Sequence, residues 1–185
     1  GVLLMTNALD GSIYFALAVL ALVIIQLSNN PIIKLSNIKQ TGVGVVIIAG
    51  AAILTSLPFL VHFKSFVTGV AVNCPPAFLA NMKFGPIIFE GVEKCQISPF
   101  WMWWLLWGFF VYCGISLIVK LVKFGKLAQF DKIIVLFFLF SLALVIFPEF
   151  FYFKDIYPAH FRSNTMFKLG YEAFILFSIV AGYTI

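Results

Sequence analysis

Five long apolar runs constrain this chain more than any other feature: residues 12–27, 42–61, 100–119, 133–147 and 170–185. Each approaches the roughly 20 residues that a helix needs to cross a bilayer core. Inside hydrocarbon a backbone must satisfy its own N–H and C=O groups, so such runs cross as helices. Composition agrees, with 63% hydrophobic and only 10% charged residues and a mean hydropathy of +1.09. Ordinary soluble domains carry about 25% charged residues. The fold class is therefore all-α, a polytopic transmembrane helix bundle with about five spans in a single transmembrane domain over residues 1–185.

The polar segments alternate in character. Residues 28–40 and 120–132 carry Lys34, Lys39, Lys120, Lys123, Lys126 and Lys132 against a single acid, Asp131. The loops at 62–98 and 148–169 mix acids and bases. The positive-inside rule puts the lysine loops in the cytoplasm and the mixed loops, with Asp10, on the outer face of a cell membrane. The net charge of +5 is small and implies no nucleic-acid partner. Basic residues beside apolar spans face anionic lipid, the expected surrounding partner. Trp101, Trp103 and Trp104 open the third run as an interfacial anchor, and His62, just after the second, is expected as another. The span interiors are expected to lack charge. The chain starts at Gly1 and ends at Ile185 inside an apolar run, which suggests a piece of a larger multi-pass protein.

Cys74 and Cys95 share one outer loop. An oxidising exterior allows them to pair, and two free thiols are the equal alternative. Cys113, mid-span, is expected to pack as a small apolar residue. There is no CxxC, HExxH or glycine-rich phosphate loop, so neither a zinc site nor a nucleotide-driven pump is indicated.

Chemistry concentrates at 147–171, FPEFFYFKDIYPAHFRSNTMFKLGY. One reading is an interfacial loop with weak surface ion pairs. The other is an anion site. There Arg162 grips a phosphate bidentately, Lys168 adds a point charge, and Asp155 or Glu149 orients Arg162 or acts as a base. Asn164 and Thr165 supply neutral hydrogen bonds or cap the last helix. Asp10 is expected to cap the first span, and Glu90 and Glu93 to be solvated loop charges.

The run Glu149-Phe-Phe-Tyr-Phe-Lys-Asp155, followed by Arg162-Ser-Asn-Thr-Met-Phe-Lys-Leu-Gly-Tyr171, resembles the signature of the "YYY" family of large prokaryotic multi-pass membrane proteins. Asn7-Ala-Leu-Asp10, Pro58-Phe59 and Ser98-Pro99 fit the same order. The chain departs from the pattern at Leu9, Ser163 and Gly170, where the family has Trp, Met and Tyr. The resemblance, to the C-terminal half of the family's domain, implies kinship with GT-C membrane glycosyltransferases, which use polyprenyl-phosphate sugars at the outer face. It implies catalytic roles for Asp10, Asp155 and Glu149. It also implies substrate contacts for Asn7, Tyr152, Lys154, Arg162, Asn164, Thr165, Lys168 and Tyr171. No cofactor or metal is required by it, although converging acids would accept a divalent ion. The usual catalytic base of such enzymes would lie in the family's other half. The competing functions are a lipid or polyanion transporter, which needs charge within the spans, and a non-catalytic membrane scaffold.

Overall fold

A computed structural model describes residues 1–29, 35–65, 67–125, 128–154 and 160–185. Among them, five helices are long and apolar enough to cross a membrane, by length and composition. They are α2 (Ala8–Asn29), α3 (Leu35–Leu60), α4 (Phe100–Phe124), α5 (Gln129–Phe150) and α6 (Ser163–Thr184), with a short α1 (Val2–Thr6) ahead of them. The bundle is polytopic and helical. Its helices outrun the apolar stretches because polar turns at the membrane edge still keep helical hydrogen bonds. α6 starts at Ser163 and so takes about a third of the expected outer hairpin into its first turns.

The chain divides into two units, 1–64 with 125–136 and 65–124 with 137–185. In the first, α1 packs on both α2 and α3. Asn7 leaves α1 with extended backbone, and its Oδ1 accepts the Leu9 N–H at 3.2 Å. Its amide then donates to Asp10 Oδ1 at 2.7 Å. Asn7 is therefore the cap, and Asp10, expected there, sits inside the first turn of α2. Much of α3 is exposed, Val46 to 69% and Leu54 to 73%, as suits a helix of membrane-spanning length and hydropathy. Lys132 Nζ donates to Ser28 Oγ at 2.8 Å, so the end of α2 and the start of α5 meet on one side. Lys34 and Lys126 lie outside the described residues.

In the second unit α4, α5 and α6 share an aromatic core. Phe177, fully buried, stacks on Phe110 at 5.5 Å and meets Trp107 and Phe138. Gly114 lets α5 approach α4 closely: a Cβ there would lie 2.1 Å from the Phe138 ring. Cys113 is buried and free, as expected of a small apolar packer.

Residues 69–89 and 151–154 contain strands that the sequence did not announce. β1 (Gly69–Val72), β2 (Lys83–Phe84), β3 (Ile87–Phe89) and β4 (Phe151–Lys154) form one sheet in the order β2-β3-β1-β4. β2 and β3 turn through Gly85-Pro86, where Gly85 takes φ 59°. β1 pairs parallel with β3 and antiparallel with β4, the latter in the register Ala71 to Tyr152. That pairing joins residues 69–72 to the residues directly after α5. Cys74 and Cys95 are disulfide-bonded across 21 residues.

Replacing both Cys74 and Cys95 by Ala should cost about 3 kcal/mol, the loop-closure value for a span of this order. Chemical denaturation in detergent checks it. An unchanged midpoint would mean that the loop is held without the bond.

Candidate functional site

Arg162 lies just ahead of α6 and is only 6% exposed. Its two terminal nitrogens have protein acceptors. One donates to Glu149 Oε2 at 3.1 Å and to the Gln96 carbonyl. The other donates to Ser98 Oγ at 2.9 Å and reaches Glu149 Oε1 at 3.4 Å. Glu149, on the last turn of α5, also accepts the Ser98 N–H at 2.9 Å. A carboxylate and a guanidinium out of water need this degree of satisfaction. Asn73, 4% exposed, completes the frame, donating to the carbonyls of Gln96 at 2.6 Å and Glu149 at 2.8 Å. The disulfide joins the residues next to Asn73 and Gln96, so it clamps the loop that supplies Arg162 with acceptors.

Glu149 and Ser98 also border a cavity of about 240 Å³ between α4, α5 and α6. Its walls include Trp103, Leu106, Trp107 and Leu144. Pro148, also in its lining, has no N–H to return to the Leu144 carbonyl within α5. The cavity is thus largely apolar, with Glu149 and Ser98 as the polar part of its lining.

A second polar group lies along the sheet. Glu90, expected as a solvated charge, is instead buried to 5% exposure. Lys154 Nζ lies 2.6 Å from one oxygen and Lys94 Nζ 3.1 Å from the other. The Tyr152 hydroxyl also hydrogen-bonds to it. Burial opposes the charged carboxylate, but the hydrogen bonds from Lys154 and Lys94 outweigh it and hold Glu90 below its ordinary value. Burial, with the Glu90 charge second, raises the Tyr152 phenol. Glu93 is exposed, as expected.

The remaining expected residues scatter. Thr165 Oγ1 accepts the Phe153 N–H at 3.0 Å, so it closes the free edge of β4 and does not cap α6. Asn164 and Lys168 are partly exposed on the first turns of α6, and Tyr171 is 59% exposed. Asn7 and Asp10 belong to the first unit. Asp155 lies outside the described residues. Sequence reasoning missed Asn73, Gln96 and Glu90. The first two flank the cysteines, so a paired reading of Cys74 and Cys95 would have brought them together. It also missed Glu172, 4% exposed within α6, which corrects the expectation of uncharged span interiors.

The model of an uncharacterised membrane protein family, DUF2298, matches residues 1–134 and 116–177, and the chain belongs to that family. This agrees with the expected kind of family, an uncharacterised one of membrane proteins, and carries no link to glycosyltransferases. No curated protein and no solved structure matches the chain.

Arg162→Met should cost about 3–5 kcal/mol by stranding Glu149, and the double change Arg162→Met with Glu149→Met should cost less than the single one. Denaturant titration of the three proteins decides it; equal losses would mean the pair is not coupled. Because Glu90 is held below its ordinary 4.5, the stability it contributes is present above that value and lost as pH falls through its folded-state value. Melting curves from pH 7 to pH 3 should show this loss in the wild type and less of it in Glu90→Gln.

Proposed function

We propose that this member of the family is a GT-C-type glycosyltransferase that takes a sugar from a polyprenyl-phosphate donor at the outer face of the cell membrane. The observation that carries the reading is the cavity bordered by Trp103, Leu106 and Trp107 with Glu149 and Ser98 at one end. An isoprenoid chain matches the apolar walls, and a sugar or acceptor hydroxyl matches the polar end. The outer-face assignment is supported by the Cys74–Cys95 bond, since disulfides persist in oxidising compartments, and by the lysine-rich loops.

In this reading an acceptor hydroxyl attacks the sugar's anomeric carbon. The bond from that carbon to the phosphate oxygen breaks, and its electron pair leaves with the lipid phosphate. The hydroxyl proton passes to a carboxylate. Glu149 stands at the cavity for that role, with Asp155 and Asp10 as the other candidates. Arg162, whose terminal nitrogens are already engaged, contributes by fixing Glu149, and Lys154 and Lys168 offset the phosphate charge. Tyr152, through Glu90, sets the position of Lys154. Asn7, Asn164, Thr165 and Tyr171 remain candidates for contacts to sugar or acceptor.

One observation favours a second reading, a transporter of lipids or polyanions. Glu172 is a buried acid within a spanning helix, where ionisable groups often mark a transport path.

The test is the purified chain in nanodiscs, supplied with a panel of radiolabelled polyprenyl-phosphate sugars. Sugar should move to an acceptor or to water, and Glu149→Gln should slow this by about 10²-fold or more while the protein still melts cooperatively. Lys168→Gln should raise the donor KM. A folded wild type that turns over no donor, yet moves labelled lipid between leaflets in a manner abolished by Glu172→Gln, would replace the enzyme reading with the transporter.

A further inference from the structure

Lys94 and Lys154 come from distant parts of the chain and meet on one carboxylate. Lys154 holds one oxygen of Glu90 and Lys94 the other, so the two ammonium groups share one carboxylate. The Glu90 side chain is 6% exposed, while Lys94 keeps 47% and Lys154 37% of their side-chain surface. The anion is thus sunk into the sheet and the cations face outward.

The charges do not balance. Two ammonium groups share one carboxylate, and the Tyr152 hydroxyl draws on that carboxylate as well. Among the described residues the cluster keeps a net positive charge. Among the described residues neither lysine forms an ion pair with Glu93, the other acid of the short 3-10 turn Val92–Lys94. Each ammonium has three N–H donors and places one on Glu90, so further donors remain on both. Two neighbouring cations with spare donors suit a tetrahedral oxyanion, whose several oxygens can be shared between them.

The height of the cluster narrows the ligand. Lys154 ends the strand that begins directly after α5, and Lys94 precedes α4 by six residues. At that end α4 presents Phe100, Trp101 and Trp104, which are 79%, 67% and 56% exposed. Exposed aromatics at the end of a span mark the headgroup layer. The flexible lysine stems let both ammonium groups settle at that level.

We propose that Lys94 and Lys154, tethered by the buried Glu90 carboxylate, form a clamp for the phosphate of a lipid headgroup. The proposal rests on the sugar-transfer reading and deepens it by naming where the donor's phosphate is held. Glu90 is a positioning residue here: it holds two mutually repelling cations on one carboxylate while both keep an exposed face. The same chemistry would receive free phosphate, and the experiment separates the two sources.

Binding of a short-chain polyprenyl monophosphate to the purified chain in phosphatidylcholine nanodiscs is followed by native mass spectrometry. The parallel probes are the matching polyprenyl alcohol and inorganic phosphate as a competitor. The wild type should bind the monophosphate more tightly than the alcohol, and Lys94→Gln and Lys154→Gln should each weaken it by about fivefold without moving the alcohol. Lys94→Arg, which keeps the charge, should retain affinity, and it guards against loss of fold in the glutamine variants. Failure of inorganic phosphate to compete assigns the clamp to lipid headgroups; full competition overturns the lipid assignment in favour of a free-anion site. Equal affinity for monophosphate and alcohol, or unchanged affinity in folded lysine variants, overturns the clamp itself. If binding behaves as expected but no sugar is transferred, the clamp stands and the transferase reading falls. If transfer proceeds with an unaltered donor KM in the lysine variants, the reverse holds.

Discussion

Once the Arg162 guanidinium and the Glu149 carboxylate leave water, each depends on the other. Their attraction offsets two desolvation costs only when the remaining donors and acceptors are also satisfied. The chain meets that demand from three places at once. Ser98 and Gln96 come from the segment ahead of α4, Asn73 from the end of β1, and Met166 Sδ from the first turn of α6, 3.3 Å from the guanidinium. The junctions of three spanning helices are thereby fixed to one another by polar contacts, at the level where the apolar contacts of the bundle give out.

The membrane explains why polar groups are so concentrated. Lipid tails are as apolar as leucine, so helices in a bilayer gain little by hiding apolar faces from it. The second unit associates through ring packing around Phe177 and through close approach at Gly114. Charge is then confined to helix ends and to the sheet beyond them, apart from Glu172. The cavity between these helices has apolar walls with the Glu149 carboxylate in its lining.

The helices were legible because length and hydropathy alone decide whether a segment can cross a bilayer. Their ends were not. Ser163-Asn164-Thr165 looks like loop chemistry, yet helical hydrogen bonding continues through it at the membrane edge. The sheet was not legible at all. Its strands are two to four residues long, too short for an alternating pattern, and β4 hides in the aromatic run Phe150-Phe-Tyr-Phe-Lys154. Glu90 was misread for a related reason. A lone acid in a loop is usually solvated, and its partner Lys154 is 64 residues away. The pairing of Arg162 with Glu149 inside the hairpin could be read from its composition; the Ser98 hydroxyl and Gln96 carbonyl that complete it could not, because they come from a separate segment.

β4 begins at Phe151, the residue after α5 ends. No spacer separates a membrane-crossing helix from the strand that carries Tyr152 and Lys154, and β4 is zipped to β1 along its whole length. The sheet therefore has no height of its own. A thicker or thinner bilayer makes spanning helices change tilt, and any tilt of α5 is passed straight into the sheet that holds Glu90 and its two lysines. The lipid that surrounds this protein thus also sets the depth at which its polar surface is presented.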